Sequence, residues 1–234
     1  ERAKDEFTAL VSHELRTPLT AVKGALGILQ APAVSLPEAR RGELMEMATR
    51  NTDRLLHLVN DLLDIKRIEA GVLDLALQDL ELEAVLAEAL TVNAPYAQPM
   101  GVTYTLEGML PGLRVVGDPL RLGQVLANLL SNGAKFSRRG AEVRLGAEGL
   151  EGEVRVWVHN LGEPIPEAFH GRIFQKFAQA ETGTTRDVKG TGLGLAISKA
   201  LVEAMGGRIG FSSGPEGTTF WFTLPRAGEE PPHP

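Results

Sequence analysis

The chain has 234 residues, 43% of them apolar and 23% charged, the balance of a folded chain with room for one large or two modest domains. Lysine and arginine number 24 against 30 acidic residues, a net charge of −6, which argues against a nucleic-acid partner because phosphate contact needs a concentrated basic surface. The absence of cysteine removes disulfides, zinc ribbons and thiol catalysis, no uncharged apolar run reaches the roughly 18 residues that cross a bilayer, and no signal peptide opens the chain. Glu1 already stands inside a helical pattern, so the chain reads as a piece of something longer.

Residues 1–70 read as two helices broken by the turn 31–37, where Pro32, Ser35 and Pro37 punctuate the pattern. The first helix carries an apolar stripe of Phe7, Val11, Leu15, Leu19, Val22, Leu26 and Leu29. The stripe drifts around Pro18, which removes a backbone donor and predicts a kink. In the second helix Leu44, Ala48, Asn51, Leu55, Leu58, Leu62 and Ile65 recur at alternating steps of four and three, a seam that packs against other helices. Two helices alone enclose too little core, so the hairpin is expected to pair with a second copy as a four-helix bundle.

From residue 71 the pattern changes. Strand-like runs at 72–77, 102–106, 143–145, 154–158, 208–211 and 218–224 alternate with helical runs at 82–91, 119–134 and 194–205. That order predicts an α/β sandwich over 71–226, with helices on one face of a mixed sheet. The segment 213–217 reads as a closing hairpin and 227–234 as a disordered tail.

Four clusters carry candidate chemistry. His13 lies two residues from Val11 and Leu15, roughly 200° round the helix from each, so it projects away from the apolar stripe. It is either an ordinary surface histidine or an imidazole nucleophile with Glu14 as its base. Asn128, Asn132 and Lys135 share one face of the run 119–134, opposite Leu122, Val125, Leu126 and Leu129. Two carboxamides and an ammonium suit a metal–triphosphate, since Mg²⁺ takes few protein oxygens and completes its shell with phosphate and water. A solvated polar face is the other reading. His159, Asn160, Gly162, Ile165 and neighbours form a strand running into a turn. Gly190, Thr191, Gly192, Leu193, Gly194 and Leu195 open an amphipathic helix where glycines admit phosphate to backbone N–H groups. No lysine and serine follow as in a Walker A loop, and no strand precedes as in a dinucleotide fingerprint.

Together and in this order, the clusters resemble the transmitter core of two-component sensor histidine kinases over nearly the whole chain. The segment around His13, Glu14, Thr17 and Pro18 is similar to the family's H box, and Asn128 to Phe136 to its N box. Asn160, Gly162 and Ile165 resemble part of the G1 box, Phe174 and Phe177 the F box, and 190–195 the G2 box. The resemblance implies a dimeric helical hairpin followed by a sandwich of the histidine kinase and Hsp90-like ATPase type. It implies that His13 accepts the γ-phosphoryl group of ATP, that Glu14 is the general base, and that Thr17 serves dephosphorylation of a response regulator. Asn128 and Asn132 would bind Mg²⁺; Lys135, Phe136, Asn160, Gly162, Ile165, Gly190, Thr191, Gly192, Leu193, Gly194, Leu195 and Thr218 would complete the nucleotide site, with 174–189 as its lid.

The implied partners are a second copy, a response regulator receiver domain and an upstream sensor domain, in a cytoplasmic setting whose anchoring the sequence leaves open. Three residues depart from the family pattern: Asn160 stands where an aspartate is usual, Pro164 where a second glycine is usual, and Gly133 where an alanine is common. Asn160 and Pro164 keep a second reading open, a degenerate transmitter that docks or dephosphorylates its regulator with weak autokinase activity. A free ATPase fits less well, because those relatives carry a water-activating glutamate where this chain has Asn128.

Overall fold

The computed structural model describes residues 2–31, 36–108, 111–179 and 191–228, with side chains from residue 10 onward. The chain divides into two compact units, Glu1–Val72 and Leu73–Pro234. No helix among the described residues is long and apolar enough to cross a membrane.

The first unit is a hairpin of α1 (Arg2–Gln30) and α2 (Glu38–Glu69). Glu38 in the first turn of α2 and Lys66 and Arg67 in its last turn complement the helix dipole. The α2 seam is placed as its periodicity predicts: Leu44, Leu58 and Ile65 are buried, and Ala48, Asn51, Leu55 and Leu62 are half-buried. Asn51 keeps its carboxamide within its own helix, donating to the Met47 carbonyl at 2.8 Å.

The α1 stripe needs correction. Leu19 is 58% exposed and Leu26 is also exposed, whereas Pro18 and Ala25 are buried. The inward line is therefore Val11, Leu15, Pro18, Val22, Ala25 and Leu29, a regular alternation of four and three. Reading only large apolar residues missed it, because a proline and an alanine fill the seam. Helix α1 continues through Pro18. The side chain of Phe7 and residues 32–35 lie outside the described residues.

The second unit holds β1 (Gln78–Glu81), α3 (Leu82–Ala97), β2 (Thr103–Glu107), β3 (Arg114–Gly117), α4 (Pro119–Phe136), β4 (Glu142–Gly149), β5 (Glu153–Asn160), α5 (Glu167–His170), α6 (Gly194–Ala204), β6 (Ile209–Gly214) and β7 (Gly217–Pro225). Five strands form a mixed sheet in the order β2-β4-β5-β7-β6, parallel only between β2 and β4. The strand expected at 72–77 is absent; the chain there is extended coil leading to β1, which pairs with β3 as a separate ribbon. Both ribbon strands escape sequence reading because each has four residues and β1 is mostly polar.

One face of the sheet is the core. Val154, Val156 and Val158 of β5 and Phe220, Phe222 and Leu224 of β7 are buried at alternate positions, and helices α3, α4 and α6 pack on that side. Helix α4 contributes Leu122, Val125, Leu126, Leu129 and Leu130, each fully buried and worth roughly 1.5–3 kcal/mol. Its start is held by Asp118, whose carboxylate accepts the N–H groups of Leu120 at 2.9 Å, Arg121 at 3.1 Å and Ala76 at 2.9 Å. One side chain thus caps the helix and ties the entering coil to it. Gly133 lies against the sheet, where a Cβ would sit 2.9 Å from Val143 Cγ1. The Tyr104 hydroxyl donates to the Leu130 carbonyl at 3.1 Å, and burial with Tyr96 nearby pushes its pKa up to about 12.

On the other face the indoles of Trp157 and Trp221 lie over Gly146 and Gly210 of the adjoining strands, and Arg155 stacks on Trp221 at 4.9 Å. At the C-terminus, where the sequence predicts a disordered tail, Ala227 donates to the Arg114 carbonyl at 3.0 Å; residues 229–234 lie outside the described residues.

Leu58 is 1% exposed within the hairpin itself. Leu58→Lys is therefore expected to cost the first unit about 2–5 kcal/mol by losing a core side chain and burying a charge, read as lost helical circular dichroism or a lowered melting temperature.

Candidate functional site

In the first unit His13 is held out by its helix: Val11 and Leu15 turn inward and the His13 side chain is 71% exposed. Its Nδ1 lies 3.6 Å from Glu14 Oε1. Glu14 is itself only 18% exposed and its other oxygen lies 3.4 Å from an Arg54 guanidinium nitrogen on α2. The arginine fixes the carboxylate, and the carboxylate faces Nδ1 of the exposed imidazole. Sequence reasoning missed Arg54, whose contact with Glu14 exists only once α1 and α2 pack. The Thr17 hydroxyl, one turn on, donates to the His13 carbonyl at 3.3 Å.

In the second unit the polar stripe of α4 meets the start of α6. Asn128 Nδ2 donates to Ser198 Oγ at 2.8 Å, and Asn132 Nδ2 lies 3.4 Å from Asn128 Oδ1. Gly194 makes the meeting possible, since a Cβ there would stand 2.2 Å from Asn128 Oδ1. Lys135 is half-buried, with Nζ 5.2 Å from the ring centroid of the exposed Phe136. Gly192, at φ +70°, accepts the Phe177 N–H at 2.8 Å, and a Cβ on it would lie 2.7 Å from the Phe177 backbone. Phe177 itself takes a left-handed φ of +60°. Leu193 is fully buried, so its side chain belongs to the core, while its N–H is held by Thr191 Oγ1 at 3.2 Å. Leu195 is half-buried, and Gly190 lies outside the described residues.

The end of α4 is sewn to the turn after β5. Ser137 pairs with Gly162, Arg138 donates to the Leu161 carbonyl at 3.0 Å, and a Cβ on Gly162 would fall 2.0 Å from the Phe136 carbonyl. Asn160 closes β5, 4% exposed, opposite Thr218 on β7. Thr218 Oγ1 lies 2.7 Å from Ser213 Oγ, which also accepts the Ile165 N–H at 2.9 Å. His170 and Phe174 pack edge-on against Phe211, fastening the next segment to β6.

Asn128, Asn132, Gly192 and Gly194 thus converge on one side. Phe136, Asn160, Gly162, Ile165 and Thr218 converge on another, joined by α4. Sequence reasoning missed Ser198 and Ser213. Ser198 stands one helical turn after Gly194, a spacing that marks it; nothing local marks Ser213, whose partners come from the β6–β7 register and the Ile165 turn.

No group of three or more His, Cys, Asp or Glu residues able to hold a metal occurs among the described residues. Neutral carboxamide oxygens alone do not hold Mg²⁺; beside a triphosphate they fit it, since phosphate and water supply the remaining ligands.

Residues 3–71 match the His Kinase A (phospho-acceptor) domain, and residues 117–228 match the histidine kinase-, DNA gyrase B-, and HSP90-like ATPase family. The chain belongs to the sensor histidine kinases, as their transmitter core. It is 39% identical over 238 residues to the sensor protein GacS of Pseudomonas syringae pv. syringae, covering 98% of this chain and 26% of GacS. The histidine kinase core thus spans about a quarter of that relative. Its fold is similar to full-length ShkA in complex with AMPPNP (TM-score 0.70, 32% identity, 97% of this chain and 47% of ShkA). It is also similar to histidine kinase ThkA in complex with the response regulator protein TrrA (TM-score 0.71, 26% identity, 95% of this chain and 61% of ThkA).

Gly194→Ala is expected to push the Asn128 carboxamide off Ser198 and lower stability by about 1–3 kcal/mol, measured by urea denaturation. An unchanged midpoint would show that the contact between α4 and α6 has slack.

Proposed function

We propose that this chain transfers the γ-phosphoryl group of ATP to His13 and then to an aspartate of a response regulator. The observation that carries the reading is the exposed His13 backed by a carboxylate that Arg54 holds in place. With the proton on Nδ1 facing Glu14, Nε2 has the free lone pair. Nε2 bonds to the γ-phosphorus, the bond from that phosphorus to the ADP oxygen breaks, and the Nδ1 proton passes to Glu14. The product is a neutral phosphohistidine ring.

In the second unit Asn160 and Thr218 would seat the base and Gly162 would let it approach. Lys135 and the backbone of 191–194 would meet the phosphates. Asn128 and Asn132 would hold Mg²⁺ through their Oδ1 atoms, with Ser198 keeping Asn128 turned the right way. The metal would supply charge neutralisation of the triphosphate. ATP places the reaction in the cytoplasm. Thr17, beside His13 on the same helix, would position water for the reverse task of dephosphorylating the regulator. The AMPPNP complex of ShkA and the regulator complex of ThkA support both halves of the scheme by similarity.

A second copy of the chain would complete the hairpin. Leu19, Leu26, Leu56, Val59 and Leu63 are exposed in the isolated hairpin, outside the seam that joins α1 to α2. On α2 they recur at steps of three and four, each one residue after a member of the first seam and so turned roughly 100° from it. An upstream sensor domain would act through this bundle.

Incubation with γ-labelled ATP and Mg²⁺ is expected to give label that is acid-labile, base-stable and lost in His13→Ala. Label that survives in that variant would overturn the assignment. Leu56→Lys combined with Leu63→Lys is expected to halve the mass seen by light scattering while leaving helical circular dichroism in place; a persisting dimer would put the interface elsewhere.

A further inference from the structure

Asn160 ends β5 opposite Thr218 of β7. Its side chain is buried to 4% exposure, at the end of β5. Among the described residues none hydrogen-bonds its carboxamide. The nearest hydroxyl groups satisfy one another: Thr218 Oγ1 and Ser213 Oγ share a 2.7 Å bond, and Ser213 also takes the Ile165 N–H. Gly162 packs against the Phe136 carbonyl beside this amide, and a Cβ on it would also lie 3.2 Å from Asn160 Nδ2. Without a hydrogen-bond partner among the described residues, the carboxamide offers a ligand both a donor and an acceptor.

A carboxamide differs from a carboxylate in one decisive way. Half a turn about its last bond exchanges a donor for an acceptor, and among the described residues no hydrogen bond holds Asn160 in either orientation. Adenine shows an N–H donor at position 6 beside the acceptor N1. Hypoxanthine shows the reverse, a carbonyl at position 6 beside N1–H. Asn160 matches the first edge with Oδ1 toward position 6 and the second with Nδ2 toward it. A carboxylate there only accepts, and would face the position-6 carbonyl with a like oxygen.

We infer that Asn160 makes the nucleotide site tolerant at purine position 6, so that it accepts 6-oxopurine nucleotides as well as adenine nucleotides. This rests on the reading of the second unit as a nucleotide site. It gives the asparagine a chemical consequence beyond a weakened contact: selectivity between bases is relaxed because the group reading the base has no fixed polarity.

The test is calorimetric titration of the whole chain with ADP, inosine diphosphate and purine riboside diphosphate, which has no substituent at position 6, each with Mg²⁺. ADP and inosine diphosphate are expected to bind within about tenfold of each other, and purine riboside diphosphate about three- to tenfold more weakly than either, the loss of one neutral hydrogen bond. In Asn160→Asp, inosine diphosphate is expected to lose about tenfold or more relative to ADP. If that variant fails to fold, the three ligands on the unaltered chain decide the matter alone. Inosine diphosphate binding weaker than ADP by more than about tenfold, with ADP bound normally, overturns the inference and leaves the nucleotide reading standing. Absence of ADP binding overturns the nucleotide reading itself. An unaltered ratio in folded Asn160→Asp shows that another group sets base selectivity.

Discussion

The second unit depends on how closely α4 approaches its neighbours, and both approaches rest on a missing Cβ. At Gly133 the helix meets Val143 on the sheet, and at Gly194 the start of α6 meets the Asn128 carboxamide. Glycine inside a helix weakens it by about 1 kcal/mol relative to alanine. Here that cost is offset by burial of the leucine face, which no displaced helix would keep. The same helix therefore supplies the core with one side and candidate ligands with the other. Asn128, Asn132 and Lys135 keep fixed places because the opposite side of α4 is locked against the sheet.

The hairpin applies a comparable logic to a single reactive side chain. The inward line of α1 runs through Pro18 and Ala25, and with α1 packed on α2 Arg54 reaches Glu14. Glu14 is then held between a cation and the imidazole of His13, and His13 is left outside. The large apolar residues displaced from the seam, Leu19 and Leu26 on α1 and Leu56, Val59 and Leu63 on α2, give the hairpin a second face without a partner inside one copy.

The base end of the proposed nucleotide site is built from hydroxyl groups and backbone rather than charge. Ser213 joins the Ile165 turn to Thr218, Gly162 packs on the Phe136 carbonyl, and the Asn160 carboxamide has no hydrogen-bond partner among the described residues. Pro164 stands exposed in the same turn, clear of these bonds, and leaves the pairing of Ser137 with Gly162 intact. Asn160 and Pro164 therefore leave in place the hydrogen bonds that join this turn to its neighbours.

Much of this was legible in the sequence. The hairpin, the order of helices and strands after residue 71, and the residues of the four motifs follow from periodicity and from chemistry written in short segments. These are local properties: a seam at steps of four and three, a glycine-rich helix start, amides one turn apart. The short β1–β3 ribbon, the inward role of Pro18 and Ala25, and the contacts of Arg54, Ser198 and Ser213 were decided only by the tertiary structure. Each depends on a distance between segments far apart in the chain, and a residue's identity does not state which neighbour packing will bring to it. Asn160 shows the division most plainly. Its amide chemistry can be read from the sequence, but that the residue lies buried with no hydrogen-bond partner for its amide among the described residues is a fact of packing alone.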